Sequence, residues 1–162
     1  MQWQQSDLLV GIDQQFINRL TVISSELIHK KGVVLFRQGD PATHFFILQN
    51  GRVRLSMDED RNAVYTVNNG GEVFGWSSLT GRSHYSATAH CMAPTVLTIF
   101  QRDQIERILA EDPVNGLVFY KNLAQTLGRC LIRTRHQLVD HLYVDDKVAF
   151  SIDQVQSVLT FV

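Results

Sequence analysis

The sequence predicts a mainly β fold, a double-stranded β-roll of jelly-roll type with an N-terminal helix before it and a long C-terminal helix after it. Short β-rich runs, Phe45 to Leu48, Val53 to Ser56, Val64 to Val67 and Thr95 to Phe100, recur between Val33 and Phe100, separated by Gly, Pro, Asn and Asp. Many short strands closing on themselves make a jelly roll. On either side of this region the apolar spacing changes to the helical period.

In chain order, Ser6-Asp7 caps the predicted first helix, and Leu8, Leu9, Ile12, Phe16, Ile17 and Leu20 then recur at roughly helical spacing, giving it a face to pack on the roll. Asp58-Glu59-Asp60-Arg61-Asn62 reads as a polar hairpin tip whose acidity serves solubility. After Arg102-Asp103, Ile105, Ile108 and Leu109 mark one face of a helix, and Pro113 opens a longer one reaching at least Leu142. On it Leu117, Tyr120, Ala124, Leu127, Leu131, Thr134, Leu138 and His141 alternate in steps of three and four, the seam of a coiled coil. A parallel homodimer through Leu117, Tyr120, Ala124, Leu127, Leu131, Thr134 and Leu138 follows; the competing reading lays the stripe on the roll.

The chain of 162 residues, 44% of them hydrophobic, suffices for one domain with a substantial core. A formal charge of −1 supplies no global basic field, so direct DNA binding by bulk electrostatics is not expected. Cys91 and Cys130 are the only cysteines, far apart and without metal-like spacing, which argues against a disulfide framework and for a reducing cytoplasm. No stretch approaches membrane-spanning length, and no basic segment leads into a long apolar one at the start.

An ordered series of glycine motifs runs through the β region: Gly32, Gly39-Asp40, Gly51, Gly71-Glu72, Phe74-Gly75 and, after them, Ser86-Ala87. From about Leu8 to Leu142 the chain resembles the cyclic nucleotide-binding domain of the cyclic-AMP receptor and Fnr regulators. The resemblance implies a non-catalytic regulatory domain with a small-ligand pocket. It places the phosphate against a short helix after Phe74-Gly75, whose free N–H groups around Ser77 and Ser78 face the anion, and against the Ser86 hydroxyl and the Ala87 N–H. Near Arg133 and Thr134 the long helix would touch the base.

At two positions the chain departs from the family. Trp76 stands where binders place the glutamate that accepts the ribose hydroxyl, and Tyr85 where they place the arginine that pairs with phosphate. Losing an Arg–phosphate pair forfeits a charge-assisted contact about twice as strong as a neutral hydrogen bond. Tight cyclic AMP binding is therefore not expected. Two readings remain open. In one, the aromatic pair offers apolar faces and neutral donors to a cyclic nucleotide or another small anionic or aromatic ligand, with Arg82 or Arg133 replacing the missing charge. In the other, Trp76 and Tyr85 fill the pocket and the domain serves as a dimerising module.

Other chemistries fit less well. His84, His90, Cys91, His136 and His141 follow no strong metal or haem motif, and His90 and Cys91, adjacent on a strand, point to opposite faces. Cys91 reads as a buried, inert thiol. No nucleophile, base and orienting acid converge in sequence around the aromatic cassette, so no enzyme is expected. The chain thus divides into a sensor domain with its dimer helix, 1–142, and a hinge and short tail, 143–162, too short for a complete helix-turn-helix. In the tail, Ser151-Ile152-Asp153-Gln154 resembles a capping box before Val155, Val158, Leu159 and Val162. A fragment of a longer regulator and a naturally short protein both fit that ending.

Overall fold

The computed structural model describes residues 2–57 and 63–144, with side chains as far as residue 136 at the C-terminal end. The predicted hairpin tip Asp58 to Asn62, the tail beyond residue 144 and the side chains of Leu138 and His141 lie outside the described residues. Two compact units meet between Leu127 and Gly128.

The first unit opens differently from the sequence expectation. Ser6 does cap, accepting from Leu8 N, but it caps only a 3₁₀ turn, Asp7–Leu9. Val10 is extended and Gly11 takes a left-handed φ of 79°. A continuous helix cannot pass through that pair of conformations. Helix α1, Gln14–Ile23, starts afresh, with Asp13 as its cap accepting from Phe16 N at 2.8 Å. Because that N–H and the Asn115 amide both favour the charged form, the Asp13 carboxyl is held below its ordinary range.

Eight strands follow: β1 Ser24–His29, β2 Val34–Phe36, β3 His44–Asn50, β4 Val53–Ser56, β5 Ala63–Val67, β6 Val73–Phe74, β7 Thr88–Cys91 and β8 Thr95–Gln101. They pair antiparallel in two four-stranded sheets, in the orders β1-β8-β3-β6 and β2-β7-β4-β5. This is the predicted β-roll. Its central strand β3 explains why Phe45-Phe46-Ile47-Leu48 is an unbroken apolar run: both faces of the strand are covered. Phe45 and Ile47 join Phe16, Leu20, Phe100, Ile105 and Phe119 in a core under the helices. Phe46 and Leu48 face the other way and meet Phe36, Val53, Val67 and Leu97 between the sheets.

Helix α2 spans Arg102–Glu111 and buries Ile105, Ile108 and Leu109. Helix α3 is Pro113–Val144, matching the predicted start. Between them Asp112 caps α3, accepting from Asn115 N at 3.1 Å. The buried Asn115 side chain also receives Asp13 N at 3.1 Å and donates to the Asp13 carboxylate, tying the start of α1 to the start of α3. Two turns further along, Asn122 donates to the carbonyls of Leu8 and Val10 and holds the N-terminal segment on the same helix. Polar side chains thus fix the helices that the apolar core alone would leave free to slide.

Candidate ligand site

The turn after β6 is built around Gly75. Its φ of 72° is left-handed, and a Cβ there would lie 2.7 Å from Phe46 Cδ2 and 3.2 Å from the His44 carbonyl oxygen. Only glycine lets the chain pass so close to β3. A 3₁₀ turn, Trp76–Leu79, follows. Ser78 is fully buried and committed to the turn, its N–H and its hydroxyl both donating to Gly75 O, at 3.1 and 3.0 Å. Ser77 is buried as well, at 4% exposure, and its hydroxyl has no hydrogen-bond partner among the described residues. Trp76 is half-buried and packs against both cores, so it stands where the two meet.

Tyr85 reaches the same wall from the opposite side. Segment 83–85 runs beside 39–42, with Gly39 N donating to Tyr85 O, Tyr85 N to Asp40 O and Ala42 N to Ser83 O. The Gly39-Asp40 motif is therefore the brace for the segment that carries Tyr85. From there the ring enters the core at 5% exposure and stacks on Phe36, with centroids 3.8 Å apart and planes 17° apart. Its hydroxyl donates to His44 O at 2.8 Å and accepts from His44 N at 3.0 Å. Gly75 and Tyr85 thus converge on His44, one through close approach and the other through a pair of hydrogen bonds. Burial pushes the Tyr85 phenol above its ordinary value near 10, against the weaker opposing effect of the His44 hydrogen bond.

Two consequences can be measured on Tyr85→Phe. Removing the hydroxyl leaves the His44 N–H without its acceptor, and a loss of about 1–3 kcal/mol in denaturant unfolding is expected. The raised phenol also has a sign. Above pH 10 the unfolded chain ionises this tyrosine while the folded chain keeps it neutral, so the stability it contributes at lower pH falls away as pH rises toward the folded value. Wild-type stability should decline more steeply than that of the phenylalanine variant above pH about 10.

The remaining predicted contacts are spread more widely. Phe74 is fully buried, stacked on Phe46 at 4.9 Å. Ser86 is exposed and Ala87 packs at the edge of the inter-sheet core. Arg82 is exposed, and its carbonyl receives only a long 3.4 Å bond from Arg102. Arg133 and Thr134 belong to the second unit, where the Thr134 hydroxyl donates to Cys130 O at 3.0 Å. Phe36 and the backbone of His44 define the wall, and neither belongs to the motifs that mark the site in the sequence. The only signal for Phe36 was its place at the end of the run Lys31 to Phe36.

His90 points away from the inter-sheet core that its strand neighbour Ala89 helps to fill. Cys91 is buried, and burial raises its thiol above the ordinary range. Among the described residues no three of His, Cys, Asp and Glu come together as metal ligands, and no helix is long and apolar enough to cross a membrane.

Along α3, Phe119 and Leu123 face the core while Leu117 is 71% exposed and Ala124 is exposed. Tyr120 is 40% exposed, and Leu127 packs partly against the helical core. In the second unit Leu131 is 54% exposed.

Residues 27–112 match the model of the cyclic nucleotide-binding domain. The chain belongs to this family. Among curated proteins it is 31% identical over 96 residues to an uncharacterized protein of Mycobacterium tuberculosis, a match covering 57% of this chain and 18% of that one. It is 21% identical over 143 residues to the CRP-like cAMP-activated global transcriptional regulator of Mycobacterium tuberculosis, covering 87% of this chain and 62% of the regulator. The chain therefore spans less than two thirds of the length of either curated relative. Among solved structures, a cyclic nucleotide-binding domain from Methylobacillus flagellatus superposes with a TM-score of 0.75 at 18% identity, over 93% of this chain and 83% of that one. This domain thus has a glycine-governed turn after β6 and, at position 85, an aromatic residue whose hydroxyl is satisfied internally.

Proposed function

We propose that this cyclic nucleotide-binding domain is a non-catalytic regulatory module of the Crp and Fnr type, which senses a small ligand without an arginine–phosphate pair and reports it through a homodimer helix. The observation that carries the reading is the engagement of Tyr85: its ring stacks on Phe36 and its hydroxyl is bonded twice to His44. A phenol already donating and accepting has little left for a phosphodiester, and its neutral form offers no charge. Trp76 cannot accept a hydrogen bond from a ribose hydroxyl, since its indole N–H only donates. What remains for a ligand is the face of the half-buried Trp76, the hydroxyl of Ser77 and the exposed hydroxyl of Ser86. These suit a compact aromatic or weakly polar molecule better than cyclic AMP.

The dimer reading is supported by the exposed apolar residues Leu117 and Leu131, two seven-residue repeats apart on α3, whose first half packs Phe119 and Leu123 into the core. A ligand shifts such a dimer only by binding its two helix arrangements unequally. The second reading, a pocket converted to core in a purely dimerising module, draws on the same stacking of Tyr85 and on the packing of Trp76 against both cores.

A thermal-shift screen against nucleotides and small aromatic acids separates the two. The sensor reading expects a dose-dependent rise in Tm with an aromatic compound, diminished in Trp76→Ala and Ser77→Ala. Rises that persist unchanged in both variants would remove the ligand from this site, and a flat response across the panel would favour the dimerising module.

A further inference from the structure

We propose that the outer face of the second sheet carries an oxyanion-binding site centred on the guanidinium of Arg54, separate from the pocket around Gly75 and Tyr85. On β4, Val53 and Leu55 are buried in the inter-sheet core, so Arg54 between them projects from the opposite face. In the sheet register Arg54 lies directly across from His90 on β7 and from Thr66 on β5. Residues paired this way stand side by side on one face, with Cβ atoms about 5 Å apart. Arg52, two residues earlier on the same face, is exposed.

No Asp or Glu occurs within β2, β4, β5 or β7, so the strands of this sheet supply no carboxylate to Arg54. Arg54 takes no part in the Arg19–Glu111 or Arg102–Glu106 ion pair. Its Nε is buried and has no hydrogen-bond acceptor among the described residues. A buried guanidinium N–H without an acceptor is unfavourable, and the group's fork of parallel donors matches an oxyanion with two oxygens in one plane. Arg54 is the anchor of this site; His90 and Thr66, which have contacts of their own, form its sides. The ligand chemistry is a phosphate-type oxyanion, either inorganic phosphate or the phosphoryl group of a nucleotide.

The test follows the Arg54 Nε–H resonance by NMR on the whole chain during titration with inorganic phosphate and, separately, with adenosine 5′-monophosphate. A saturable shift of that resonance, together with the amides of His90 and Thr66, is expected with phosphate. A tighter response to the nucleotide would identify a phosphoryl group as the source, and equal responses would identify the free anion. Arg54→Lys, which keeps the charge without the fork, should weaken binding about tenfold or more, and Arg52→Gln should titrate like wild type. Shifts that rise linearly without saturating in the wild-type protein, or saturation preserved in Arg54→Gln, would overturn the proposal. The wild-type titration decides the matter even if an Arg54 variant fails to fold.

Discussion

Gly51→Ala should be the most damaging small substitution in the roll, lowering stability by about 2–5 kcal/mol. Gly51 turns the chain from β3 into β4 with a φ of 107°, a conformation that L side chains rarely adopt. An added Cβ would also stand 2.5 Å from Pro94 O and 2.7 Å from Thr95 Cα. Both obstacles are backbone, and Thr95 begins β8, so neither can step aside without disturbing the first sheet. Gly81→Ala is the matched control. Its φ of 75° is equally left-handed, yet nothing lies within 4 Å of the added atom. Only the conformational part of the penalty applies there, about 1–2 kcal/mol. Urea unfolding of the two variants separates strain from collision, and similar midpoints for both would mean that the Gly51 contact relaxes.

Leu131→Glu is expected to dissociate the proposed homodimer, weakening association about a hundredfold or more while leaving the roll folded. Each subunit would place one such side chain in the seam, and burying a leucine contributes about 1.5–3 kcal/mol before the added charge repulsion is counted. Leu131 is 54% exposed, so the monomer loses little by the change. Leu127→Glu behaves differently, because Leu127 packs on the helical core of its own unit and the substitution damages the monomer as well. Sedimentation measured alongside unfolding resolves the pair: Leu131→Glu should alter mass and spare stability. An unchanged dimer in Leu131→Glu would reject the seam.

The roll was legible in the sequence because its strands are short, apolar and punctuated by glycines with geometric duties, Gly51 and Gly75 above all. The start of the chain was misread for a local reason. Six apolar residues from Leu8 to Leu20 fit one helical period, and the interruption depends on Gly11 and on Asp13 acting as a second cap. That signal was present, but the period outweighed it. Pro113 announced α3 correctly, whereas the clasp made by Asn115 and Asn122 joins residues more than a hundred positions apart and leaves no local pattern. The same limit governs the candidate site. The turn from Gly75 to Ser78 is encoded within a few residues, but the surroundings of Tyr85 are set by Phe36 and His44, which only the fold brings to it.

For the proposed α3 seam, the sequence pattern covers the helix and the exposure of two of its residues. Its three-four spacing is a property of the helix, and Leu117 and Leu131 are exposed as a partner surface requires. The spacing does not reveal that Leu127 also touches its own core, because that contact comes from the roll.

We propose that this cyclic nucleotide-binding domain lacks a charged hold on phosphate, with Tyr85 bound inward to His44 at the position where the family resemblance implies an arginine. Calorimetric titration of the wild-type protein with cyclic AMP tests it most directly. No saturable heat is expected in the micromolar range, since at this site the phosphodiester would meet neither a guanidinium nor a free phenol. A saturable micromolar isotherm would contradict it and would require Tyr85 to leave Phe36 and His44 when the nucleotide binds.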